Sequence, residues 1–249
     1  VTTYAANNVT TWFSGFDMSG QLNSTVLALS YDALDATVFQ PATVTNPSRV
    51  RVAGLEDTQL DEAGFWEAGA GLLDPTAFTA LAGASQVVSV SHDGAESSPA
   101  YMFRARQFNY ELFGQLGELL PFRLTAQAAR GTGLASVGAV RGRILKTKAD
   151  VSGTGATGTA FQLGATSAAQ YLYGALHVFS AGTTITGVIE SDSDNTFASA
   201  TTRITFSGIT AVGGTWGTRV AGAITDDWYR LRITACTGTF SIACTAGIR

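Results

Sequence analysis

Charge is what this sequence has least of. Asp, Glu, Lys and Arg make up 14% of 249 residues, against about 25% in ordinary soluble domains. A chain so poor in charge yet 45% hydrophobic is not disordered, because disorder needs high charge and few apolar groups. It also has little with which to coat an exterior, which points to a surface covered by partners. Lysine occurs only as Lys146 and Lys148, and the net charge is −4. That excludes the basic stripe with which groove-reading proteins neutralise phosphates. Cysteine is limited to Cys236 and Cys244, which excludes a disulfide framework and any C-x-x-C site. A tight hairpin around Gly238 would leave the two out of register, so free thiols are expected. The only histidines are His92 and His177, and a metal site or a Ser-His-Asp arrangement would have to borrow one of them. His92 falls in a turn-like Ser-His-Asp-Gly run, while His177 reads as a satisfied core or interface residue in mid-strand. Neither G-x-S-x-G nor H-E-x-x-H occurs, and no enzyme, cofactor or metal is expected. The interval 151–189 lacks charge, but Gly, Thr and Ser interrupt it too often for a membrane span. Val1–Asn8 has no apolar stretch resembling a secretory leader. A protein without a membrane anchor is expected.

What the chain does have is alternation and glycine. Leu22–Tyr31 places Thr25, Leu27, Leu29 and Tyr31 opposite Val26 and Ala28, the period of two of a strand. Arg49–Glu67, Tyr101–Phe113, Leu119–Ala128 and Val140–Lys146 read likewise. One helix is predicted, with Asp74 as N-cap, Pro75 at the first helical position and Gly83 at the close. Its apolar stripe would be Phe78, Leu81 and Ala82. After residue 150 threonine thickens, from 14 in the first 150 residues to 19 in the last 99. Short runs at 159–163, 170–179, 184–190, 203–206, 216–220, 228–234 and 240–246 then recur about every ten residues, the rhythm of a sandwich. The polar, glycine-rich stretch 145–158 sets the boundary, giving domains 1–148 and 149–249.

Possible chemical motifs dissolve on inspection. Gly153, Gly155 and Gly158 match G-x-G-x-x-G, but a strand rather than a helix follows and no acid comes until Glu190. The acidic loop from Glu190 to Asn195 lacks the glycine and distal Glu of a calcium loop, and a solvated turn explains it. Glu56, Asp57, Asp61 and Glu62 crowd four carboxylates into seven residues. Catalysis would need one buried and one exposed acid; a wet strand face, or a patch that repels a polyanion, is the alternative. Trp216, Trp228 and Tyr229 could serve as stacking platforms in a carbohydrate-binding β-sandwich module, although strand aromatics usually fill cores.

The segment Trp12–Tyr31, with Gly15-Phe-Asp17-Met-Ser19-Gly20 ahead of a long strand, resembles the opening of the tail tube proteins of long-tailed, non-contractile bacteriophages. The likeness continues through 49–67, 74–83 and 117–128, and into 192–206 and 222–232. It implies a mainly β protein, a tail-tube-like barrel or sandwich with one flanking helix, followed by a C-terminal β-sandwich. It further implies hexameric rings stacked into a virion tail tube through which DNA passes, made in the host cytoplasm. Tape measure and tail terminator proteins would be partners. A loop after the first strand, 32–48, would reach the next ring through Leu34, Phe39 and Pro41. Asp61 would meet a neighbour's arginines, drawn from Arg104, Arg106, Arg123, Arg130, Arg141 and Arg143. A capsid-decorating protein or a tail-end ring is the nearest structural alternative. Low charge, unfinished strand edges and scarce lysine suit a conduit that must not grip phosphates.

Overall fold

The computed structural model describes residues 8–37, 49–69, 71–81, 83, 85–129 and 138–249. Its architecture is mainly β, with one helix among the described residues. The organising element is β6 (Pro99–Leu112). One edge of it pairs with β5 (Gln86–Ser91). The other edge is shared: β8 (Val140–Val151) takes residues 99–102, and β7 (Pro121–Ala128) takes 105–112. One sheet therefore divides into two wings at β6.

The first wing continues from β7 to β4 (Arg51–Phe65) and β3 (Leu22–Asp35). With β5, β6 and β1 (Thr10–Phe13), it bends around a core of Phe13, Leu60, Val88, Phe103, Phe122 and Leu124. A two-residue strand, β2 (Phe16–Asp17), turns back on β1. The helix α1 (Leu73–Ala80) closes this core with Leu73, Ala77 and Ala80. Its start and its stripe differ from expectation. Asp74 caps nothing, because its carboxylate accepts hydrogen bonds from Trp66 Nε1 at 3.0 Å and Tyr110 Oη at 3.1 Å. Phe78 is 69% exposed and Leu81 38%; Ala82 lies outside the described residues.

The second wing runs from β8 to β16 (Phe240–Ile248) and β10 (Tyr171–Ser180), then to β13 (Gly213–Trp216) and β14 (Val220–Ala221). It curls toward the opposite face of β5 and β6. There Trp12, Met102, Ala175, His177 and Thr245 fill the interior. Strand β5 is buried on both faces because each face covers a different core: Val88 and Val90 the first, Val87 and Ser89 the second. Among the described residues no ladder joins β13 or β10 to β5, so this wing curls without closing as a barrel. Side chains bridge the gap instead: His177 Nδ1 donates to the Ser14 carbonyl at 2.8 Å, and Nε2 lies 2.9 Å from Ser89 Oγ.

On the outside of the second wing lies a four-stranded sheet, in the order β12 (Thr201–Ile209), β11 (Thr184–Asp192), β15 (Trp228–Thr237), β9 (Gly155–Gln162). Leu172, Leu176, Ile189, Phe206, Tyr229, Leu231 and Ile242 form the core between the two sheets. The glycine run from 153 enters β9 itself, since that strand starts at Gly155. The turn at Gly238 does not make a hairpin. β15 and β16 belong to different sheets, so the turn crosses the sandwich, with Gly238 at φ +87°. The expected run 216–220 is broken into β13 and β14. Cys236 and Cys244 are free. The 148/149 position lies within β8, which pairs with β16 from Val151 down to Gly142.

Candidate assembly surface

The longest element is the β3–β4 hairpin. Its strands hold 14 and 15 residues, about 50 Å at roughly 3.3 Å per residue. The apolar alternation of the sequence places Leu27 against the first core and leaves Val26 exposed. Beyond Leu27 the alternation stops selecting a buried face. Strand β7 covers β4 only from Gln59 to Phe65, so, among the described residues, positions 51–58 have β3 alone as a strand neighbour. Leu29, Tyr31, Leu34, Val52 and Leu55 are each at least half exposed, Leu55 most of all at 79%. Strand β3 pairs with β4 and, among the described residues, carries no strand on its other edge. Beside that edge runs a groove of about 490 Å³, lined by Leu27, Leu29, Val9, Val90 and Tyr101 among others. Long apolar edges are templates for pairing, and monomeric proteins cover or charge them.

A second apolar surface sits at the other end of the same strand. The register puts Phe65 opposite Pro121, and the Trp66 N–H donates to the Leu120 carbonyl. The loop between β6 and β7 therefore crowns the C-terminal end of β4, while the distal end of the hairpin (its tip, residues 32–37 and 49–53) lies at the N-terminal end of β4. In that loop Phe113 is 64% exposed, Leu119 72%, and Leu116 fully. Glu67, Glu111 and Glu118 flank it in sequence and register, and none forms an ion pair among the described residues. Arg49 and Arg51, beside the tip, form none either.

Between the two ends lies a polar face. Asp61 accepts from Gln59 Nε2 and from Thr125 Oγ1, both at 2.7 Å. Gln127 donates to Gln59, and Asn109 Nδ2 to Glu111 at 2.9 Å. Same-strand and cross-strand pairs thus satisfy one another, while the exposed Arg123 and Arg106 stand on this same face, opposite Glu111 and Gln127 in the ladder.

Arg249 ties the distal half of the hairpin to the body. The Arg249 guanidinium takes both carboxylate oxygens of Glu56, donates to Tyr31 Oη at 3.2 Å and to the Ala139 carbonyl at 2.9 Å. Glu56 in turn holds the Arg249 pKa above its ordinary value. Gly138 leaves the room this needs, since a Cβ there would meet the Glu56 carboxylate at 2.3 Å.

Of the residues expected to make subunit contacts, Leu34 is exposed in β3 opposite Val52, rather than in a loop, because β3 extends to Asp35. Phe39 and Pro41 lie outside the described residues. Asp61 lies eight positions along the ladder from Leu34, opposite Val26, and is not brought together with it. The acids expected to seek a neighbour's arginines are largely engaged inside the chain. Glu56 holds Arg249, Asp61 holds Gln59 and Thr125, and Glu62 is 2% exposed. Among the proposed arginine partners, Arg143 donates to the Ser97 carbonyl and stacks on Phe161, and Arg130 is outside the described residues.

The alternative sites separate just as clearly. Tyr229 is fully buried with its hydroxyl on the Asp226 carbonyl, and Trp216 packs on Tyr173, so neither is a free platform. In the acidic loop Asp192 accepts from the Ser193 and Ser199 amides and Asp194 from Thr196, as in a self-capped turn. Among the described residues no group of three or more His, Cys, Asp or Glu is placed to hold a metal. No helix among them is long and apolar enough to cross a membrane.

A scan of protein-family models finds no match, and no curated protein matches. Among solved structures, the chain is similar to a component of the virion of a native gene transfer agent particle. The identity is 12% and the TM-score 0.41, over 52% of this chain and 96% of that one. A component of the tail of an empty gene transfer agent particle, of C6 symmetry, aligns at 12% identity and a TM-score of 0.38, over 55% and 100%. The SPP1 Dit protein, a paradigm of the hub adsorption apparatus in phages infecting Gram-positive bacteria, aligns at 10% identity and 0.35, over 97% and 99%. At these identities and scores none of the three assigns this chain a family or a function.

Proposed function

We propose that the chain is a self-assembling structural subunit of a phage-type tail tube, whose copies stack head to tail into a hollow cylinder. One observation carries this reading: two exposed apolar surfaces lie at opposite ends of β4, the hairpin tip at one and the β6–β7 loop at the other. Heterologous contacts of that kind generate open stacks, whereas a decorating protein needs one docking face. Arg49 and Arg51 at the tip, which form no ion pair among the described residues, complement the carboxylates around the loop. In this reading the hairpin and the β1–β7 region form the ring, the outer four-stranded sheet decorates it, and hexameric symmetry and tape measure and terminator partners follow from the tail-tube resemblance. Asp61 and Leu34 lie on the ring-forming hairpin.

Negative-stain imaging and sedimentation of the purified chain at rising concentration test this. The expected result is rings and channelled filaments, lost in a Val52→Asp/Leu55→Asp variant that keeps its far-UV spectrum and melting temperature, since both side chains are exposed. A chain that stays monomeric at high concentration, or a double variant that still forms filaments, overturns it. Discrete rings without filaments assign the chain to a tube end instead.

A further inference from the structure

The strand ladder of the hairpin slips by one residue between Tyr31 and Ala33. Tyr31 faces Glu56, yet Ala33 faces Ala53, so β4 carries one extra residue. Bulges of this kind bend a strand and sharpen its twist. Gly54 lies inside the slipped segment, where a Cβ would come within 2.9 Å of Asp32 Cβ and 3.0 Å of Leu34 Cγ. The two residues facing each other on the body side of the bend, Tyr31 and Glu56, are the two hairpin side chains that Arg249 grips. Arg249 is itself fixed: its N–H donates to the Tyr171 carbonyl at 3.0 Å, and its carbonyl accepts from the Tyr171 N–H at 2.6 Å. Next to the grip, the Ala139 N–H donates to Thr58 Oγ1 at 3.1 Å.

We infer that Arg249 is a positioning residue, a clamp at the root of a bend that sets the direction in which the hairpin tip leaves the body. Three properties support this. The grip spans elements far apart in sequence, from the last strand to the first long hairpin, so it reports tertiary placement rather than local propensity. It is bidentate and partly shielded, with side-chain exposures of 33% for Arg249 and 19% for Glu56, and fork-to-fork pairs of this kind fix orientation as well as distance. Among the described residues it is also the last side-chain tie to the body before the bend, and Leu34, Val50 and Val52 beyond it are about half exposed. Without it, the tip would pivot about residues 53–55 while both cores stayed intact. The consequence for assembly rests on the proposed function, because a tip free to swing pays an ordering entropy on docking that a clamped tip does not.

The test reads the clamp directly, without requiring assembly. Amide hydrogen exchange is compared in wild type, Arg249→Met, Glu56→Gln and the charge-swapped Glu56→Arg/Arg249→Glu. In the single variants, protection of residues 30–35 and 51–57 is expected to fall about tenfold or more. Protection in β10 and β16 should stay unchanged, and the swapped pair should recover much of the loss. Unchanged protection at 30–35 and 51–57, or a loss spread equally through β10 and β16, overturns the clamp. Assembly is scored separately: if wild type forms filaments, the single variants should need about tenfold more protein. Failure of wild type to assemble bears on the proposed function alone.

Discussion

Replacing Glu62 with glutamine is expected to stabilise the folded chain by about 2 kcal/mol at pH 8 and to change little at pH 4. Glu62 lies in β4 on the face that carries Leu60, inside the first core, and is 2% exposed. Among the described residues no hydrogen bond of ordinary geometry reaches either carboxylate oxygen, and the nearby Thr11 hydroxyl lowers the pKa by less than burial raises it. Burial pushes the pKa from 4.5 up to about 7. The stability that the neutral carboxyl permits is complete below pH 4.5 and is lost as the pH rises through about 7. Two to three units correspond to about 3 kcal/mol at 1.36 kcal/mol per unit. Glutamine removes the ionisation but leaves a buried amide unbonded, so the gain is smaller than the whole. Urea midpoints from pH 4 to pH 8 measure it. A variant whose advantage over wild type does not grow with pH would refute the assignment.

His177 makes the opposite demand. It is fully buried between Trp12 and Phe179, with ring centroids at 5.7 and 6.2 Å. Desolvation lowers its pKa from 6.5 to about 4, against the smaller opposing effects of the Ser14 carbonyl and Asp17. The contribution of the neutral ring is complete above pH 6.5 and is lost as the pH falls through about 4. That again amounts to about 3 kcal/mol. His177→Gln should cost about 2–3 kcal/mol at pH 7 through the abandoned Ser14 and Ser89 contacts, and should abolish this acid sensitivity. The two groups titrate over overlapping ranges with opposite sign. Their sum in wild type is therefore nearly level between pH 4 and 8, and each single variant should expose the slope that the other group imposes. If both variants track wild type at every pH, neither group titrates as assigned.

The strands were largely legible because their alternation is strong. Leu22–Tyr31 falls within β3, 101–113 overruns the end of β6 by one residue, and 119–128 starts two residues ahead of β7. The two wings were not legible, because nothing in β6 marks which residues meet β8 and which meet β7; long-range pairing decides that. The helix stripe was misread because Phe78 is apolar yet faces outward, while the small Ala77 and Ala80 pack inward. Pattern alone cannot separate an apolar side chain awaiting a partner from one in the core. The same ambiguity hid Leu55, Leu116 and Leu119, whose hydrophobicity reads as burial until the register shows otherwise. Arg249 left no signal in the sequence, since its partners lie at positions 31, 56 and 139.

Strand β8 also bears on how this chain can be shortened. Severing it at the change in composition would cut β8 in two and leave Phe240, Ser241 and Ile242 of β16 without Val151, Asp150 and Ala149 across the ladder. Stopping before Val140 instead would bare Ala100 and Met102 along β6. A minimal fragment that retains the tip and loop surfaces would thus need a fresh strand, engineered or borrowed, to sheathe that flank before it could be handled alone.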